Sequence, residues 1–375
     1  MPNRTMLALS FLGALAATAN SQPGFRFVDP LDTGPGIVKA ELPNAGDVPQ
    51  RHVVAPALGE PRDILLVWLA GSGAAPTQYL EFTRAAAENR LDTVGLVYPS
   101  WPPVNDITTN DTDPDLPAAI RTERLFGVDA TDVIDVDFAN SVENRLVKLL
   151  EDQAAAFPGE RWASYLLPDG SPDWTRIAVA GHSQGAGHAA FLGKLEPLAG
   201  VLILAGPGDF VQDFGTAPWL FEPGATPAAR TAAFTHVEDR NAAGFFFNQR
   251  VLNLNAFGEV QNIDGLSTQQ IRGQLLASTA DFPAGSNGHG AVVVDDRLAR
   301  DAGGAPIYRP VWDAMLRVPT RCPADTNRDG SLTPADFTAW VIAFNSGRAQ
   351  CDQNADNACT PADFNAWIAA FNAGC

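Results

Sequence analysis

The larger part of the chain alternates short apolar runs with stretches of helical periodicity. Seven runs have the apolar, β-branched character and the polar boundaries of strands; they are 52–58, 63–70, 93–98, 177–180, 201–204, 231–236 and 251–254. Three stretches between them have the apolar spacing of helices; they are 77–89, 141–157 and 185–195. Strands that are apolar on both faces and separated by helices are typical of a mostly parallel sheet. The pattern therefore predicts an α/β fold, flanked by helices, over residues 20–320.

Two segments of the chain depart from this alternation. Residues 105–117 are acidic, contain prolines and lack periodicity, and predict a surface loop or a cap segment. Residues 1–19 combine a basic Arg4, an apolar run too short to span a bilayer, and a small-x-small end at Ala17-Thr18-Ala19. That order predicts a cleaved signal peptide and an exported protein, secreted or tethered at the cell surface. No later stretch predicts a transmembrane segment.

The last part of the chain, residues 321–375, contains an internal repeat. Residues 325–337 return as residues 352–364, an offset of 27 (352 − 325), and each copy precedes a short helical pattern. Loops of the EF-hand type bind calcium with roughly six to eight oxygens from positions 1, 3, 5, 7, 9 and 12. Ligand positions 1, 3, 5, 7 and 12 are filled by Asp325, Asn327, Asp329, Ser331 and Asp336, and by Asp352, Asn354, Asp356, Ala358 (through its carbonyl) and Asp363. The spacing predicts two structural calcium ions, and a solvated acidic loop is the alternative.

All four cysteines lie in the same segment. In an exported protein, an even and clustered set indicates disulfides that stabilise a module with little core of its own. Three pairings are possible. We favour Cys322 with Cys375 and Cys351 with Cys359, because the first pair would join the two ends of the module.

These features resemble a type I dockerin. The resemblance rests on the paired Asp-x-Asn-x-Asp loops that end in Asp at position 12, each followed by one helix, and it covers about residues 321–375. The form rich in Cys, Trp and Phe resembles the dockerin variant found at the C-termini of secreted enzymes. The resemblance implies a calcium-dependent docking module that binds a cohesin-like or cell-surface receptor.

A catalytic motif lies in the larger region. Residues 181–185 read Gly-His-Ser-Gln-Gly and stand between a strand pattern and a helix pattern. This context is that of a nucleophile elbow, in which glycines permit a tight turn that projects a serine above the sheet. The motif predicts Ser183 as a nucleophile, and a structural turn serine is the alternative.

A serine nucleophile needs an imidazole to take its proton and a carboxylate to orient that imidazole. After a nucleophile elbow, the acid and then the histidine follow along the chain. His289 lies late, on a glycine-rich loop, and is the predicted base. Asp239, after the strand pattern 231–236, is the predicted acid, with Glu238 and Asp209 as alternatives.

Attack by a serine nucleophile on a carbonyl group also needs hydrogen-bond donors for the developing oxyanion. One predicted donor is the backbone N–H of Gln184, the residue after the nucleophile. The other is the backbone N–H of Ser72 in the small-residue turn 71–73, with Gly73 as the alternative donor. A plain tight turn is the competing interpretation of that segment.

Together, this turn, the elbow, Asp239 and His289 resemble the α/β-hydrolase superfamily in residues and order. The resemblance implies a serine hydrolase that forms an acyl-enzyme from a carboxylic ester, or less often from an amide, without a cofactor for the chemistry. Trp101, Trp219, Phe221 and the run Phe245-Phe246-Phe247 follow predicted strands and suggest an apolar or aromatic acyl pocket, with core or lid positions as an equal alternative. A docking tail further suggests polysaccharide esters or polyesters as substrates.

Composition narrows the classes of function. The 375 residues include 43 acidic and 25 basic side chains, a formal net charge of −18, which disfavours nucleic acid as a partner because phosphate would repel the chain. Hydrophobic residues make up 46% of the chain, enough for a sizeable core. Two other functions remain open: a catalytically inert hydrolase fold used for binding or surface attachment, and a serine peptidase.

We expect calcium to raise the melting temperature of the protein, because an ion that binds only the folded loops stabilises them by about 2.7 kcal/mol at 100 times its dissociation constant. The Asp325→Ala variant should lose part of this shift, since it removes a first-loop ligand. Calorimetry with calcium or with a chelator measures both effects. A melting temperature that does not respond to chelation would contradict the calcium assignment.

Overall fold

The computed structural model describes residues 24–320, 322–328, 331–354 and 358–374. The expected signal peptide, residues 1–19, lies outside them. The strands are β1 (Arg26–Val28), β2 (His52–Ala55), β3 (Leu65–Leu69), β4 (Asp92–Leu96), β5 (Ile177–His182), β6 (Gly200–Leu204), β7 (Phe210–Val211), β8 (Gly215–Thr216), β9 (Thr231–His236), β10 (Gln261–Asn262) and β11 (Leu275–Ser278). The α-helices are α1 (Leu80–Glu88), α2 (Val104–Thr108), α3 (Leu116–Phe126), α4 (Val142–Ala156), α5 (Gln184–Leu195), α6 (Ala242–Val251), α7 (Gly288–Ala291), α8 (Arg309–Met315), α9 (Pro334–Asn345) and α10 (Pro361–Ala373). Among these helices, none combines the length and apolar character needed to cross a membrane.

The main sheet has the strand order β1-β2-β4-β3-β5-β6-β9-β11-β10 within the described residues. Strand β2 is antiparallel to both of its neighbours, and every pair from β4 to β10 is parallel. The predicted mostly parallel sheet is confirmed.

Helices cover both faces of this sheet, which explains why its central strands are apolar throughout. In β3, Leu65, Val67 and Leu69 pack with helices α4 and α5. The alternate residues Leu66 and Trp68 pack on the opposite face with α1 and α8. Because successive side chains of a strand point to opposite faces, a strand covered on both sides needs an unbroken apolar run.

One predicted strand is wrong. Residues 251–254 do not form a strand, since Val251 ends α6 and a 3-10 turn follows at Leu254–Phe257. The far edge of the sheet is formed instead by β11 and β10. A short apolar run does not distinguish a strand from the end of a buried helix.

The prediction for residues 105–117 holds only in part. Most of α2 falls within this range, and α3 begins at Leu116. Pro117 lies in the first turn of α3, where a proline costs no intrahelical hydrogen bond. Pro117, one of the prolines that suggested a loop, therefore lies at the start of a helix.

The two C-terminal helices, α9 and α10, begin with the same capping motif. Thr333 before α9 and Thr360 before α10 each form a capping box with the third helical residue, Asp336 or Asp363. Trp340 and Trp367 form the centre of a small aromatic cluster between these helices. A disulfide joins Cys351 to Cys359, whose Cα atoms are 5.6 Å apart. The other favoured pairing involves Cys375, which lies outside the described residues.

A buried ion pair connects three parts of the larger region. Arg121 on α3 is 1% exposed and Asp209, after β6, is fully buried. The Nε of Arg121 donates to Asp209 Oδ2 at 2.7 Å, and a second guanidinium nitrogen donates to Oδ1. The third nitrogen donates to the carbonyl of Gln184 at 3.2 Å and to Nδ1 of His188 at 3.1 Å, both on α5. The Nε1 of Trp219 completes the set by donating to Asp209 at 2.8 Å.

We expect Asp209→Ala to lower the free energy of unfolding by about 3–5 kcal/mol, because it leaves the buried Arg121 charge without its partner. The exposed pair Lys148–Glu151 provides the control, and Glu151→Ala should cost less than about 1 kcal/mol. Denaturant unfolding of both variants measures the difference. Equal losses in the two variants would contradict the structural role of the buried pair.

Candidate active site

Ser183 lies in a strained turn between β5 and α5. Its φ of 55° falls in the left-handed region, which is uncommon for residues other than glycine. Its N–H donates to the carbonyl of Leu204 in the neighbouring β6 at 2.9 Å. Strain of this kind persists only where the surroundings impose it, and at Ser183 it places the side chain above the carboxyl end of the sheet.

The two glycines of the motif are required by backbone contacts. A Cβ on Gly181 would lie 2.3 Å from the carbonyl atoms of Gly185, and a Cβ on Gly185 would lie 2.1 Å from the carbonyl oxygen of Leu69. Strand β5, helix α5 and the end of β3 therefore touch through main-chain atoms. No side chain fits between them.

The structure brings His289 and Asp239 together. Nδ1 of His289 donates to Oδ2 of Asp239 at 2.6 Å. The other oxygen of Asp239 accepts the N–H of Asn241 at 2.9 Å, and the carboxylate is enclosed. This arrangement assigns the proton to Nδ1 and leaves the Nε2 lone pair of His289 for a transferred proton.

The loop that carries His289 has its own local supports. The side chain of Asn287 accepts the N–H of Gly290 at 2.8 Å and caps the short helix α7. Gly288 approaches Asp239 so closely that a Cβ would lie 2.6 Å from its backbone nitrogen. The predicted base and the predicted acid are thus held by adjoining backbones.

The alternative acids have other positions. Asp209 is committed to Arg121, as described above. Glu238 is exposed and lines the cleft in front of Ser183 without a hydrogen bond from any described histidine. Of the three carboxylates considered, the structure places only Asp239 against His289.

The remaining histidines are held in structural contacts. His52 accepts the N–H of Val97 at 3.0 Å, and burial lowers its pKa to about 3. His188 accepts from Arg121, and burial, with the charges of Arg121 and Arg124, lowers its pKa well below the usual range. His236 donates to the carbonyl of Ala280 at 2.8 Å.

The turn after β3 faces the elbow. The N–H of Gly73, the alternative oxyanion donor, donates to Ser100 Oγ at 3.0 Å. The N–H of Ser72 donates to no described residue, and that of Gln184 begins α5, where a helix has no internal acceptor. The geometry therefore keeps Ser72 and Gln184 as the candidate donors.

The side chain of Gln184 has a role that the sequence pattern does not indicate. Its Oε1 accepts from Ser72 Oγ at 3.2 Å and from the N–H of Val104 at 2.8 Å. Its Nε2 donates to the carbonyl of Ser100 at 2.8 Å. This amide connects the elbow to the Ser72 turn and to the segment after β4 that contains Ser100 and Val104.

Ser183, Gln184, Ser72 and His289 all line one cleft of about 600 Å³. Its lining is mainly polar and includes Asn44, Gln78, Asn105, Asp106, Arg240 and Arg297. Of the expected aromatic residues, Trp101 and Phe245 line the cleft, and the ring of Phe245 lies 5.9 Å from that of His289. Trp219 is instead buried against Asp209, and Phe221 and Phe247 are exposed outside the cleft. The expected apolar pocket is thus mostly replaced by a polar one.

No family model matches the chain, and no curated protein matches it. Among solved structures, it is similar to a variant of the esterase rPPE (12% identity, 80% of this chain and 84% of that chain, TM-score 0.38). It is also similar to EstE1, a thermophilic carboxylesterase cloned from a metagenomic library (13% identity, 79% of this chain and 89% of that chain, TM-score 0.38). A third similar structure is the hyperthermophilic esterase of the archaeon Pyrobaculum calidifontis (12% identity, 72% of this chain and 81% of that chain, TM-score 0.36). At these identities and TM-scores, the likenesses carry no conclusion about the activity of this chain.

The two C-terminal loops have a donor set that fits calcium. Asp336 and Asp363 are fully buried, and each turns back onto its own loop. Asp336 accepts the N–H of Asn327 at 3.2 Å, and Asp363 accepts that of Asn354 at the same distance. The final carboxylate thus closes each loop over its start, and the other side-chain donors are oxygens, which calcium prefers.

Two of the expected calcium ligands, Asp329 and Asp356, lie outside the described part of the chain. Within that part, no three His, Cys, Asp or Glu side chains are grouped closely enough to hold a metal ion. The calcium sites therefore stay a prediction.

We expect Gly185→Ala to abolish hydrolysis, because the new Cβ would overlap the carbonyl of Leu69 and displace the turn that holds Ser183. Gly244→Ala is the matched control, since a Cβ on this helical glycine meets nothing within 4 Å. Initial rates on a chromogenic ester, with melting temperatures for both variants, measure the effect. Full activity of Gly185→Ala would contradict the backbone contact.

Proposed function

We propose that this protein is a serine hydrolase of the α/β-hydrolase superfamily that cleaves carboxylic esters through an acyl-enzyme. The observation that carries the proposal is the 2.6 Å hydrogen bond between His289 and Asp239, in the same cleft as Ser183 on its strained turn. A buried carboxylate that orients an imidazole beside a projected serine is the arrangement that activates a hydroxyl nucleophile.

In the first half of the reaction, Ser183 Oγ attacks the ester carbonyl and its proton passes to Nε2 of His289. Asp239 stabilises the resulting imidazolium. The N–H groups of Ser72 and Gln184 donate to the oxyanion of the tetrahedral intermediate. As the intermediate collapses, the bond to the alcohol oxygen breaks and His289 returns the proton to that oxygen.

In the second half, a water molecule attacks the acyl-enzyme. His289 takes a proton from the water as its oxygen bonds to the carbonyl carbon. The second tetrahedral intermediate then releases Ser183, which regains a proton from His289, and the carboxylic acid leaves. Hydrolysis consumes one water molecule, and the chemistry needs no cofactor.

The lining of the cleft favours an ester that carries hydroxyl groups. Asn105, Asp106 and Arg240 line the cleft and offer side-chain donors and acceptors to a sugar, whereas a polyester has no hydroxyl groups to bind them. Trp101 adds an aromatic surface beside the Ser72 turn, since a Cβ on Gly73 would lie 3.2 Å from its ring. We therefore favour polysaccharide esters over polyesters as the substrate class.

The C-terminal segment, residues 321–375, is proposed to be a dockerin-like module that binds two calcium ions. Support comes from the repeated loops, the matching capping boxes and the closure of each loop by a buried carboxylate. Together with the expected signal peptide, this module would tether a secreted enzyme to a cohesin-like or cell-surface receptor.

The test of the enzyme is hydrolysis of p-nitrophenyl acetate and of acetylated oligosaccharides by the wild type and by Ser183→Ala. We expect the substitution to lower kcat/KM by at least about 10³-fold, because the nucleophile is lost. Ser164→Ala, at an exposed serine outside the cleft, should leave the activity unchanged. An active-site phosphonate should label Ser183.

Other results of these assays would favour one of the alternative functions or another substrate class. Absence of both hydrolysis and labelling would favour an inert hydrolase fold used for binding. Faster cleavage of a peptide amide than of an ester would favour a peptidase. A preference for long-chain or polyester substrates over acetylated saccharides would contradict the proposed substrate class.

A further inference from the structure

His182, the residue before Ser183, occupies a position that the triad chemistry does not use. It ends β5 and is only 5% exposed. Its ring lies between two others, with ring centroids 4.8 Å from His289 and 5.7 Å from Tyr79. It therefore contacts the predicted base directly while being the chain neighbour of the predicted nucleophile.

Both ring nitrogens of His182 have partners. Nε2 lies 2.9 Å from the backbone carbonyl oxygen of His289, and Nδ1 lies 3.1 Å from the hydroxyl of Tyr79. A carbonyl oxygen only accepts, so Nε2 must carry the hydrogen and Nδ1 must hold a lone pair. The Tyr79 hydroxyl then donates to Nδ1. A single tautomer satisfies every group.

The hydrogen-bond chain continues to the turn that carries Ser72. The hydroxyl oxygen of Tyr79 accepts the N–H of Gly71 at 3.4 Å, a long hydrogen bond. Gly71 also packs against the elbow, since a Cβ there would lie 3.3 Å from Nδ1 of His182 and 3.4 Å from Cβ of Ser183. The order of donation is Gly71 to Tyr79 to His182 to His289.

Burial keeps His182 neutral. Desolvation by burial is the main cause that lowers the pKa of His182 well below its usual range. The charge of neighbouring His289, when it is protonated, and a smaller effect of Arg297 act in the same direction. The hydrogen bond to the His289 backbone opposes them. The imidazole therefore keeps its hydrogen on Nε2 under the conditions in which His289 takes and returns a proton. It can hold the backbone of the base without competing for the proton.

The two ends of His289 are thus anchored separately. Asp239 holds the ring through Nδ1, and His182 holds the backbone carbonyl. A ring fixed only by Asp239 could still swing with its loop, whereas a second anchor on the main chain restricts that motion. Placement of a proton acceptor matters strongly, because a displacement of about 1 Å can cost roughly 10²-fold in rate.

We propose that His182 is a positioning residue which, together with Tyr79, sets the distance between the base His289, the nucleophile Ser183 and the oxyanion turn. The proposal rests on the proposed esterase function. His182 does not contact the reacting atoms; it acts through the backbone of His289 and through Gly71. Three segments that lie far apart in the sequence are joined through one neutral imidazole.

The test compares His182→Leu, His182→Gln and Tyr79→Phe with the wild type on a short ester. We expect His182→Leu to lower kcat about 10- to 100-fold with little change in KM, since it misplaces the base without removing substrate contacts. His182→Gln offers an amide donor for the His289 carbonyl and should recover part of kcat. Tyr79→Phe should lower kcat in the wild type and lower it by a smaller factor in the His182→Leu background, because part of its effect passes through His182 and part through the N–H of Gly71.

The activity of the wild type shows whether a negative result counts against the proposed function or only against the positioning role of His182. A wild type that neither hydrolyses esters nor is labelled at Ser183 would overturn the function itself. An active wild type with an equally active His182→Leu variant would overturn only the positioning role. A loss that appears in KM, or that is the same in His182→Gln and His182→Leu, would also overturn it.

A measurement on the unmodified protein covers the case in which a variant fails to fold. Nitrogen-15 NMR of the histidine rings should show His182 as the neutral Nε2–H tautomer from about pH 5 to 8, the range over which histidines ordinarily change charge. A His182 ring that becomes protonated in that interval, or that carries its hydrogen on Nδ1, would overturn the proposal.

Discussion

The candidate active site depends on the close contact of three backbones at the elbow. Gly181 and Gly185 approach each other, and Gly185 approaches the carbonyl of Leu69, at distances that exclude even a methyl group. The turn compressed between them holds Ser183 at a positive φ. The same contact brings the first N–H of α5 and the turn after β3 to one point above the sheet. A single packing constraint therefore positions the candidate nucleophile and the candidate oxyanion donors.

Buried polar groups hold the surrounding segments against this turn. Arg121 and Asp209 lie behind it, the amide of Gln184 spans the loops beside it, and His182 reaches the loop of the base. Such groups are costly to bury without partners, and these four side chains are hydrogen-bonded. The polar network thus gives the cleft a defined shape, which an apolar core alone would specify less strictly.

The sequence predicts local features of the fold but not the contacts between residues that lie far apart in the chain. The central strands and the elbow follow from apolar runs and from glycines on either side of Ser183, and Asp239 and His289 follow from chain order. The Arg121–Asp209 and Tyr79–His182 contacts join residues 88 and 103 positions apart, and no local pattern marks them. The error at 251–254 has the same origin, because only tertiary contacts decide whether a short apolar run is a strand or a helix end. The polar cleft was also missed, since aromatic residues near strand ends do not reveal which way they face.

In the proposed reaction, Ser183 attacks the carbonyl carbon of an ester, His289 takes the proton of Ser183, and the N–H groups of Ser72 and Gln184 donate to the carbonyl oxygen. The direct test is a crystal structure of the protein after reaction with a phosphonate ester, a mimic of the tetrahedral intermediate. We expect phosphorus bonded to Ser183 Oγ, with one phosphonyl oxygen about 2.7–3.1 Å from both N–H groups and Nε2 of His289 beside the leaving-group position. Phosphorus on another residue, or a phosphonyl oxygen that faces away from Ser72 and Gln184, would contradict it.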